Sequence, residues 1–222
     1  MKKIIVAIDG YAGTGKSTQA KSLAKHFGFV YVDTGAMYRA VTYFGQQQTT
    51  DGSIDIKLLI DSLPQISIDF GHTKNGQQTI LNGENITDLI RQSKVNDKVS
   101  DVASVPEIRS FLVDIQREMG SLKGVVMDGR DIGTIVFPEA DYKFFLIASI
   151  KIRAQRRYEE QQKAGITETL EEVLANITAR DHQDSTRIVT PLKRAKDALE
   201  IDVSYMSIDD VFNVLIDKIV KS

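Results

Sequence analysis

The chain of 222 residues contains no cysteine. This absence excludes disulfide bonds, thiolate zinc sites, iron–sulfur clusters and a cysteine nucleophile. Histidine is scarce as well, and the three histidines show neither metal-ligand spacing nor a surrounding pattern of carboxylates. We interpret these residues, His26, His72 and His182, as structural or solvated side chains.

Long apolar runs and an excess of positive charge are also missing. No apolar run approaches the roughly 20 residues that a membrane-spanning helix needs. The formal net charge of −2 argues against a dedicated nucleic-acid binder, because such proteins carry a clear basic excess. We expect no targeting peptide, because a core strand is predicted to begin near Ile4. We expect a cytoplasmic monomer with neither a membrane nor a nucleic-acid partner.

The most informative segment is a β-branched run at residues 4–8, which is followed by Gly-x-x-x-x-Gly-Lys-Ser. This spacing, between a predicted strand and a predicted helix, is typical of a phosphate-binding loop whose backbone N–H groups surround phosphate oxygens. The Lys16 ammonium would reach the β- and γ-phosphates, and the Ser17 hydroxyl would bind Mg²⁺. A chance glycine-rich turn is the alternative, which the complete spacing disfavours. The predicted triphosphate-binding residues are Gly10, Tyr11, Ala12, Gly13, Thr14, Gly15, Lys16, Ser17 and Thr18.

Hydrophobic patterning predicts strands that alternate with helices along most of the chain. The strands are expected at residues 4–8, 29–32, 124–128, 143–148 and 198–203. The helices are expected at residues 17–26, 36–46, 56–63, 90–122 with one break at Pro106, 150–163, 170–179 and from Ser207 onward. This order indicates a mostly parallel sheet covered on both faces, with phosphates bound at the carboxyl ends of the strands.

Residues 65–88 have a different character, because apolar and polar residues alternate there with a period of two. Lys74-Asn75-Gly76 and Asn82-Gly83 have the composition of tight turns. We predict a small antiparallel sheet, inserted into the series of strands and helices.

Three further motifs contain arginine: DTGAMYR at residues 33–39, DGRDIG at 128–133 and RDHQDSTR at 180–187. A second anionic substrate facing the phosphate loop needs several guanidinium groups, because arginine binds phosphate oxygens in a bidentate manner. Each arginine alone is more simply a solvated surface residue. The joint placement in three loops after strand ends favours a phosphate site formed by Arg39, Arg130, Arg180 and Arg187.

These motifs, with DGRDIGTIVFP at residues 128–138 and the β insert, resemble the bacterial-type cytidylate kinases from residue 4 to the last helix. The resemblance implies an α/β P-loop three-layer sandwich with a central parallel sheet, a helical lid and an antiparallel insert in the monophosphate-binding region. It implies a single kinase domain with its core at 1–35, 123–150 and 196–222, a monophosphate-binding region at 36–122 and a lid at 151–195. One departure is Gln183, where some relatives have arginine.

The implied reaction is phosphorylation of CMP and dCMP by ATP, with Mg²⁺ as cofactor, in pyrimidine nucleotide metabolism. Ser100, Arg109 and Asp131 would bind the base, and Arg180 and Asp184 the ribose. The α-phosphate would contact Arg39, Arg130 and Arg187, and Thr34 completes the implied CMP site. The implied catalytic residues are Lys16, Arg130, Arg180 and Arg187.

The base assignment to Asp131 is chemically sound, because a carboxylate accepts the N4 amine of cytosine and not the O4 of uracil. The alternative for Asp131 is an ion pair with Arg130 or another arginine. Asp128 is predicted to support Mg²⁺, with a helix cap or a loop brace as an equal alternative. The attacking phosphate is already anionic, so no side-chain base is expected. Arg153, Arg156 and Arg157 are interpreted as part of the lid, and a charged solvated helix face is the alternative.

The same residues also bear on three other functions. A related small kinase could act on UMP, AMP, dephospho-coenzyme A or shikimate, but Ser100, Arg109, Asp131 and the insert favour CMP. A nucleotide-dependent switch without transfer activity is disfavoured by the intact Lys16, Ser17 and arginine set. An RNA-binding protein is disfavoured by the net negative charge and the absence of an aromatic stacking platform.

Overall fold

The computed structural model describes residues 2–73, 76–163 and 165–221. Two compact units are present. The first comprises Met1–Val32 and Met119–Ser222, and the second comprises Asp33–Glu118. Residues 151–195, predicted to form the lid, belong to the first unit. The bounds of the monophosphate-binding region and of the lid stay predictions.

The strands are β1 (Ile5–Gly10), β2 (Val30–Asp33), β3 (Ile68–Thr73), β4 (Gly76–Leu81), β5 (Glu84–Asn85), β6 (Val125–Gly129), β7 (Tyr142–Ile147) and β8 (Leu199–Asp202). The helices are α1 (Lys16–Phe27), α2 (Thr34–Gln47), α3 (Ile56–Ser62), α4 (Ser93–Asn96), α5 (Val99–Val102), α6 (Pro106–Gly120), α7 (Ile150–Lys163), α8 (Leu170–Thr186) and α9 (Ile208–Val220). Short 3₁₀ turns occur at Leu63–Gln65 and Leu89–Arg91, and a π-helical turn at Ile132–Val136.

The larger sheet has the strand order β2-β6-β1-β7-β8. Strand β1 is parallel to both β6 and β7, and β7 is parallel to β8. Val6 and Ile8 pack with Leu23 of α1 and Leu215 of α9 in one hydrophobic core. Ala7, which points to the opposite face, is also fully buried. The central parallel sheet, covered on both faces, is as predicted.

The smaller sheet belongs to the second unit and confirms the predicted insert. Strand β3 is antiparallel to β4, and β4 is antiparallel to β5. Asn82 and Gly83 connect β4 to β5, and both have positive φ, at 48° and 86°. Two positive φ values at the central positions are those of a type I′ turn, which asparagine and glycine favour. Lys74 and Asn75, predicted to form the other turn, lie outside the described residues.

Two predicted helices differ from the structure. The helical segment predicted at residues 90–122, with one break at Pro106, is a 3₁₀ turn followed by α4, α5 and α6. The predicted break is confirmed, and Pro106 begins α6 because the fixed φ of proline suits the first helical position. Helix α8 continues to Thr186, well beyond residue 179, so Arg180 lies on a helix and not in a loop.

Local capping explains where the last helix begins. The Ser207 side chain accepts the Asp210 N–H, and the Asp210 carboxylate accepts the Ser207 N–H, which forms a capping box. Val211, Leu215 and Ile219 then lie on the buried face of α9. None of the helices in the described ranges has the combination of length and apolar character that crossing a membrane requires.

Gly10 allows β1 to approach β7 at the start of the phosphate loop. Its φ is +145°, and a Cβ at this position would overlap the carbonyl oxygen of Leu146. Gly15 also has a positive φ, at +81°, but a Cβ there would meet no atom within 4 Å. Replacing Gly15 by alanine would therefore introduce backbone strain alone, whereas replacing Gly10 would introduce both strain and a steric overlap.

We predict that Gly10→Ala destabilises the protein more than Gly15→Ala does. The Gly15 variant should lose about 1–2 kcal/mol of unfolding free energy from the left-handed backbone alone. The Gly10 variant should lose about 3 kcal/mol or more, because β7 must also move. Urea unfolding of both variants measures the difference, and equal losses would contradict the close approach of β7.

Candidate active site

The phosphate loop connects β1 to α1 and is closed by its own side chains. Lys16 Nζ donates to the Tyr11 carbonyl oxygen at 2.7 Å, and Thr14 Oγ1 donates to the same oxygen at 2.9 Å. Gly15 precedes the first turn of α1, whose N-terminal N–H groups favour an anion. The predicted triphosphate-binding residues thus form one loop at the carboxyl end of β1.

Lys16 is only 5% exposed, and its environment is crowded with positive charge. Burial lowers the pKa of the Lys16 ammonium well below its ordinary value of 10.5, and the nearby charges of Arg130 and Arg180 lower it further. Asp128 and Asp9 oppose these effects. A phosphate group bound here would supply negative charge to these cations.

The Asp184 carboxylate interacts with three arginines of the first unit. Its Oδ2 accepts Arg130 Nε at 2.9 Å, and its Oδ1 lies 3.9 Å from Arg187 Nη1. Burial acts to raise the pKa of Asp184, but the charges of Arg130, Arg180 and Arg187 outweigh it and the pKa falls below the ordinary value. The structure therefore brings Arg130, Arg180, Arg187 and Asp184 together, as the motifs predict.

Asp128 lies within β6 and binds two hydroxyl groups. Ser17 Oγ donates to Asp128 Oδ2 at 2.9 Å, and the Tyr31 phenol donates to Oδ1 at 2.8 Å. Its position inside a strand excludes the helix-cap alternative. A serine hydroxyl and a carboxylate are oxygen donors that fit Mg²⁺. Within the described ranges, no group of three or more histidine, aspartate or glutamate side chains could hold a metal without other ligands.

Asp9 connects the phosphate-loop strand to the segment that follows β6. Its carboxylate accepts the N–H groups of Ile132 at 2.8 Å and Gly133 at 2.7 Å. The preceding residue, Asp131, is 4% exposed, and its carbonyl oxygen accepts the Ile135 N–H at 2.9 Å. Asp9 therefore anchors the π-helical turn that begins after the predicted base-binding residue.

The three arginines of the predicted lid have different environments. Arg153 is 5% exposed, donates to the Ala12 carbonyl oxygen at 3.1 Å and forms an ion pair with Asp181 at 2.6 Å. Arg156 donates to the Val203 carbonyl oxygen at 2.8 Å. Arg157 instead forms an ion pair with Glu160 on the exposed face of α7. Only Arg157 fits the alternative of a charged solvated face.

In the second unit, Asp33 begins α2 and orients Arg39. The Asp33 carboxylate accepts the Ala36 N–H at 2.8 Å and lies 3.4 Å from Arg39 Nη2. Thr34 is buried in the first turn of the same helix. Arg39 therefore lies on α2, within the helix predicted at residues 36–46, which begins two residues earlier than expected because Asp33 caps it.

Arg109 is held in place inside the second unit. It is 2% exposed, donates to the Ala103 carbonyl oxygen at 2.8 Å and has its guanidinium 5.2 Å from the centre of the Tyr38 ring. Ser100 lies on α5, one short connection before the helix that carries Arg109. The cation–π contact with Tyr38 and the hydrogen bond to Ala103 hold the guanidinium in place.

Comparison with known proteins gives the family. The family model described as cytidylate kinase matches residues 6–221. The chain belongs to the cytidylate kinase family. A cytidylate kinase of Flavobacterium johnsoniae is 48% identical over 221 residues, which cover 98% of this chain and 96% of that protein. A cytidylate kinase of Phocaeicola vulgatus is 49% identical over 212 residues, which cover 94% and 93%.

These matches confirm the family that the sequence motifs predict. Among solved structures, an uncharacterised protein of Eubacterium ventriosum has a TM-score of 0.53 at 14% identity, with 100% of both chains covered. At this identity the likeness concerns the fold alone.

Three residues of this site were missed by the sequence analysis. Asp9 had a signal, since it is an acidic residue at the end of an otherwise apolar strand. Tyr31 had none, because an aromatic residue in a strand is common, whereas Asp181 lies in the RDHQDSTR motif but no role was predicted for it. Their contacts depend on elements distant in sequence.

The ionisation of Asp9 should make stability depend on pH. Burial raises the pKa of Asp9 from 3.8 to about 7, helped by Asp131 and opposed by the two N–H groups and Lys16. The native state then keeps a proton that the unfolded chain loses, so this contribution to stability is lost as pH rises toward 7. We predict that the unfolding free energy of the wild type, relative to Asp9→Asn, falls between about pH 5 and pH 7.

The slope of this difference should be at most about 1.4 kcal/mol per pH unit. Denaturant unfolding at several pH values measures it, with Asp61→Asn on an exposed face of α3 as the control. Parallel curves for the wild type and Asp9→Asn would mean that Asp9 is ionised throughout this range.

Proposed function

We propose that this member of the cytidylate kinase family transfers the γ-phosphoryl group of ATP to CMP and to dCMP, giving CDP and dCDP. The observation that carries the proposal is the phosphate loop beside the shared Asp184 carboxylate and its arginines. Two phosphate-bearing substrates need positive charge around the phosphate groups of both, which Lys16, Arg130, Arg180 and Arg187 would supply. Family membership supports the choice of substrate.

The phosphate loop is the proposed site of ATP. Backbone N–H groups of residues 10–18 would bind the phosphate oxygens, and Lys16 would contact the β- and γ-phosphates. Arg153 supports this loop through the Ala12 carbonyl oxygen. Because Asp181 neutralises the same guanidinium, Arg153 acts mainly in holding the loop and not as a free charge.

Phosphoryl transfer needs positioning and neutralisation of charge more than it needs a base. An oxygen of the CMP phosphate forms the new bond to the γ-phosphorus, while the bond to the bridging oxygen breaks and ADP leaves. The acceptor phosphate is already anionic, so no side chain has to remove a proton. Lys16, Arg130, Arg180 and Arg187 would stabilise the negative charge that develops on the transferred group.

Ser17 and Asp128 are the residues proposed to support Mg²⁺. When bound with ATP, Mg²⁺ neutralises the charge of the β- and γ-phosphate oxygens. The Ser17 hydroxyl donates a hydrogen bond to Asp128, so the lone pairs of the Ser17 oxygen stay available to a cation. Asp128 therefore orients the hydroxyl from within β6.

Within the first unit, the proposed CMP contacts are Asp131 for the base, Arg180 and Asp184 for the ribose, and Arg130 and Arg187 for the α-phosphate. The ion pairs of Asp184 already place Arg130 and Arg187 next to each other. In the second unit, Thr34, Ser100 and Arg109 stay predicted CMP contacts on the resemblance alone. Arg39 stays a predicted contact on the resemblance and on its arginine motif. The monomeric state and the cytoplasmic location also stay predictions.

The proposed function is tested by measuring ADP formation from ATP and Mg²⁺ with CMP, dCMP, UMP and AMP in parallel. We expect strong stimulation by CMP and dCMP and little by UMP or AMP, relative to a control without acceptor. Equal rates with CMP and UMP would indicate a general pyrimidine kinase. No stimulation by any acceptor would overturn the proposal.

Lys16→Ala supplies the loss-of-function variant for this assay. The rate should fall about 100-fold or more, because a buried cation that stabilises transferring phosphate is removed. Lys25→Ala is the matched control, since Lys25 is an exposed lysine on the same helix. Wild-type activity in Lys16→Ala would contradict the proposed role of the phosphate loop.

Asp131→Asn tests the choice of base. Asparagine can present an amide N–H to the O4 of uracil, so the CMP-over-UMP preference in kcat/KM should narrow by about tenfold to a hundredfold. The KM for ATP should change little, because the substitution is not in the phosphate loop. An unchanged preference would place base recognition on other residues.

A further inference from the structure

Tyr31 is a buried tyrosine whose hydroxyl reaches the predicted metal-supporting carboxylate. It lies on β2, is 4% exposed and donates a hydrogen bond from its phenol hydroxyl to Asp128 Oδ1 at 2.8 Å. Lys21 on α1 lies 5.6 Å from the centre of its ring. The ring is therefore held between the sheet and α1, and the direction of its hydroxyl is fixed.

The two oxygens of Asp128 are bound by different elements. The Tyr31 hydroxyl of β2 donates to Oδ1, and the Ser17 hydroxyl at the start of α1 donates to Oδ2. A carboxylate held at one oxygen cannot rotate freely, so the other oxygen keeps its direction. The chain Tyr31–Asp128–Ser17 thus fixes the orientation of the Ser17 hydroxyl.

We propose that Tyr31 is a positioning residue for magnesium-dependent binding of ATP. It orients Asp128 so that Oδ2 accepts the hydrogen bond of the Ser17 hydroxyl. The Ser17 oxygen then faces the cation. The proposal rests on the proposed role of Ser17 and Asp128 in binding Mg²⁺. Partners that orient a metal ligand through a hydrogen bond commonly change metal affinity when they are removed.

A second tyrosine of the same sheet provides a matched control. The Tyr142 hydroxyl donates to the Ile219 carbonyl oxygen at 3.1 Å, which joins β7 to α9. Tyr142→Phe removes the same atom from the same sheet without touching Asp128 or the phosphate loop. A general loss of stability should affect both variants, whereas a positioning effect should appear only in Tyr31→Phe.

The test is the Mg²⁺ dependence of ATP binding, measured by titration calorimetry without an acceptor. In Tyr31→Phe, the Mg²⁺ concentration that gives half-maximal enhancement of ATP affinity should rise by about tenfold. The affinity for ATP in EDTA and the KM for CMP should stay at the wild-type value. Tyr142→Phe should keep the wild-type Mg²⁺ dependence, and thermal unfolding of both variants reports any loss of stability.

Ser17→Ala and Asp128→Asn separate failure of the inference from failure of the proposed metal role. A changed Mg²⁺ dependence in these two variants with none in Tyr31→Phe overturns the inference and leaves the metal role standing. An unchanged dependence in all three variants overturns both. Equal shifts in Tyr31→Phe and Tyr142→Phe also overturn the inference, because a general effect on the sheet would then explain the change.

Discussion

The balance of charge around Asp184 is the interaction on which the first unit depends. The buried Asp184 carboxylate lies among Arg130, Arg180 and Arg187, and the charges of Arg130 and Arg180 also lower the pKa of Lys16. Without Asp184, Arg130 and Arg187 would lose the carboxylate that they share and would repel each other more strongly. The ion pairs with Asp184 therefore hold this group of arginines together.

The parallel register brings this chemistry to one edge of the sheet. Ile8 is paired with Asp128 and Asp9 with Gly129, so the phosphate loop and the DGRD segment leave the sheet side by side. Side chains of both segments then cross the gap: Ser17 reaches Asp128, and Asp9 accepts the N–H groups of Ile132 and Gly133. Gly10 completes this arrangement, because only a residue without a Cβ allows β1 to lie so close to Leu146.

Features that neighbouring residues fix were predictable from the sequence. The strand–loop–helix order around the phosphate loop, the start of α9 after Ser207 and the turn at Asn82-Gly83 were predicted correctly for this reason. At residues 90–122 the break at Pro106 was predicted correctly, but the further breaks that separate the 3₁₀ turn, α4 and α5 were missed, because no proline marks them. The length of α8 was underestimated, because its last turns contain Asp181 and Asp184, whose arginine partners lie elsewhere in the chain.

The sequence alone determined the kinase family, the phosphate loop and the set of arginines, because short motifs with fixed spacing encode them. Tertiary structure alone decided which charges meet: Arg130 with Asp184, Arg153 with Asp181, and Tyr31 with Asp128. These partners lie tens of residues or more apart along the chain, so no local pattern relates them. Their pairing follows from strand order and burial, since a buried charge or hydroxyl must find a partner among the few groups that the fold places beside it.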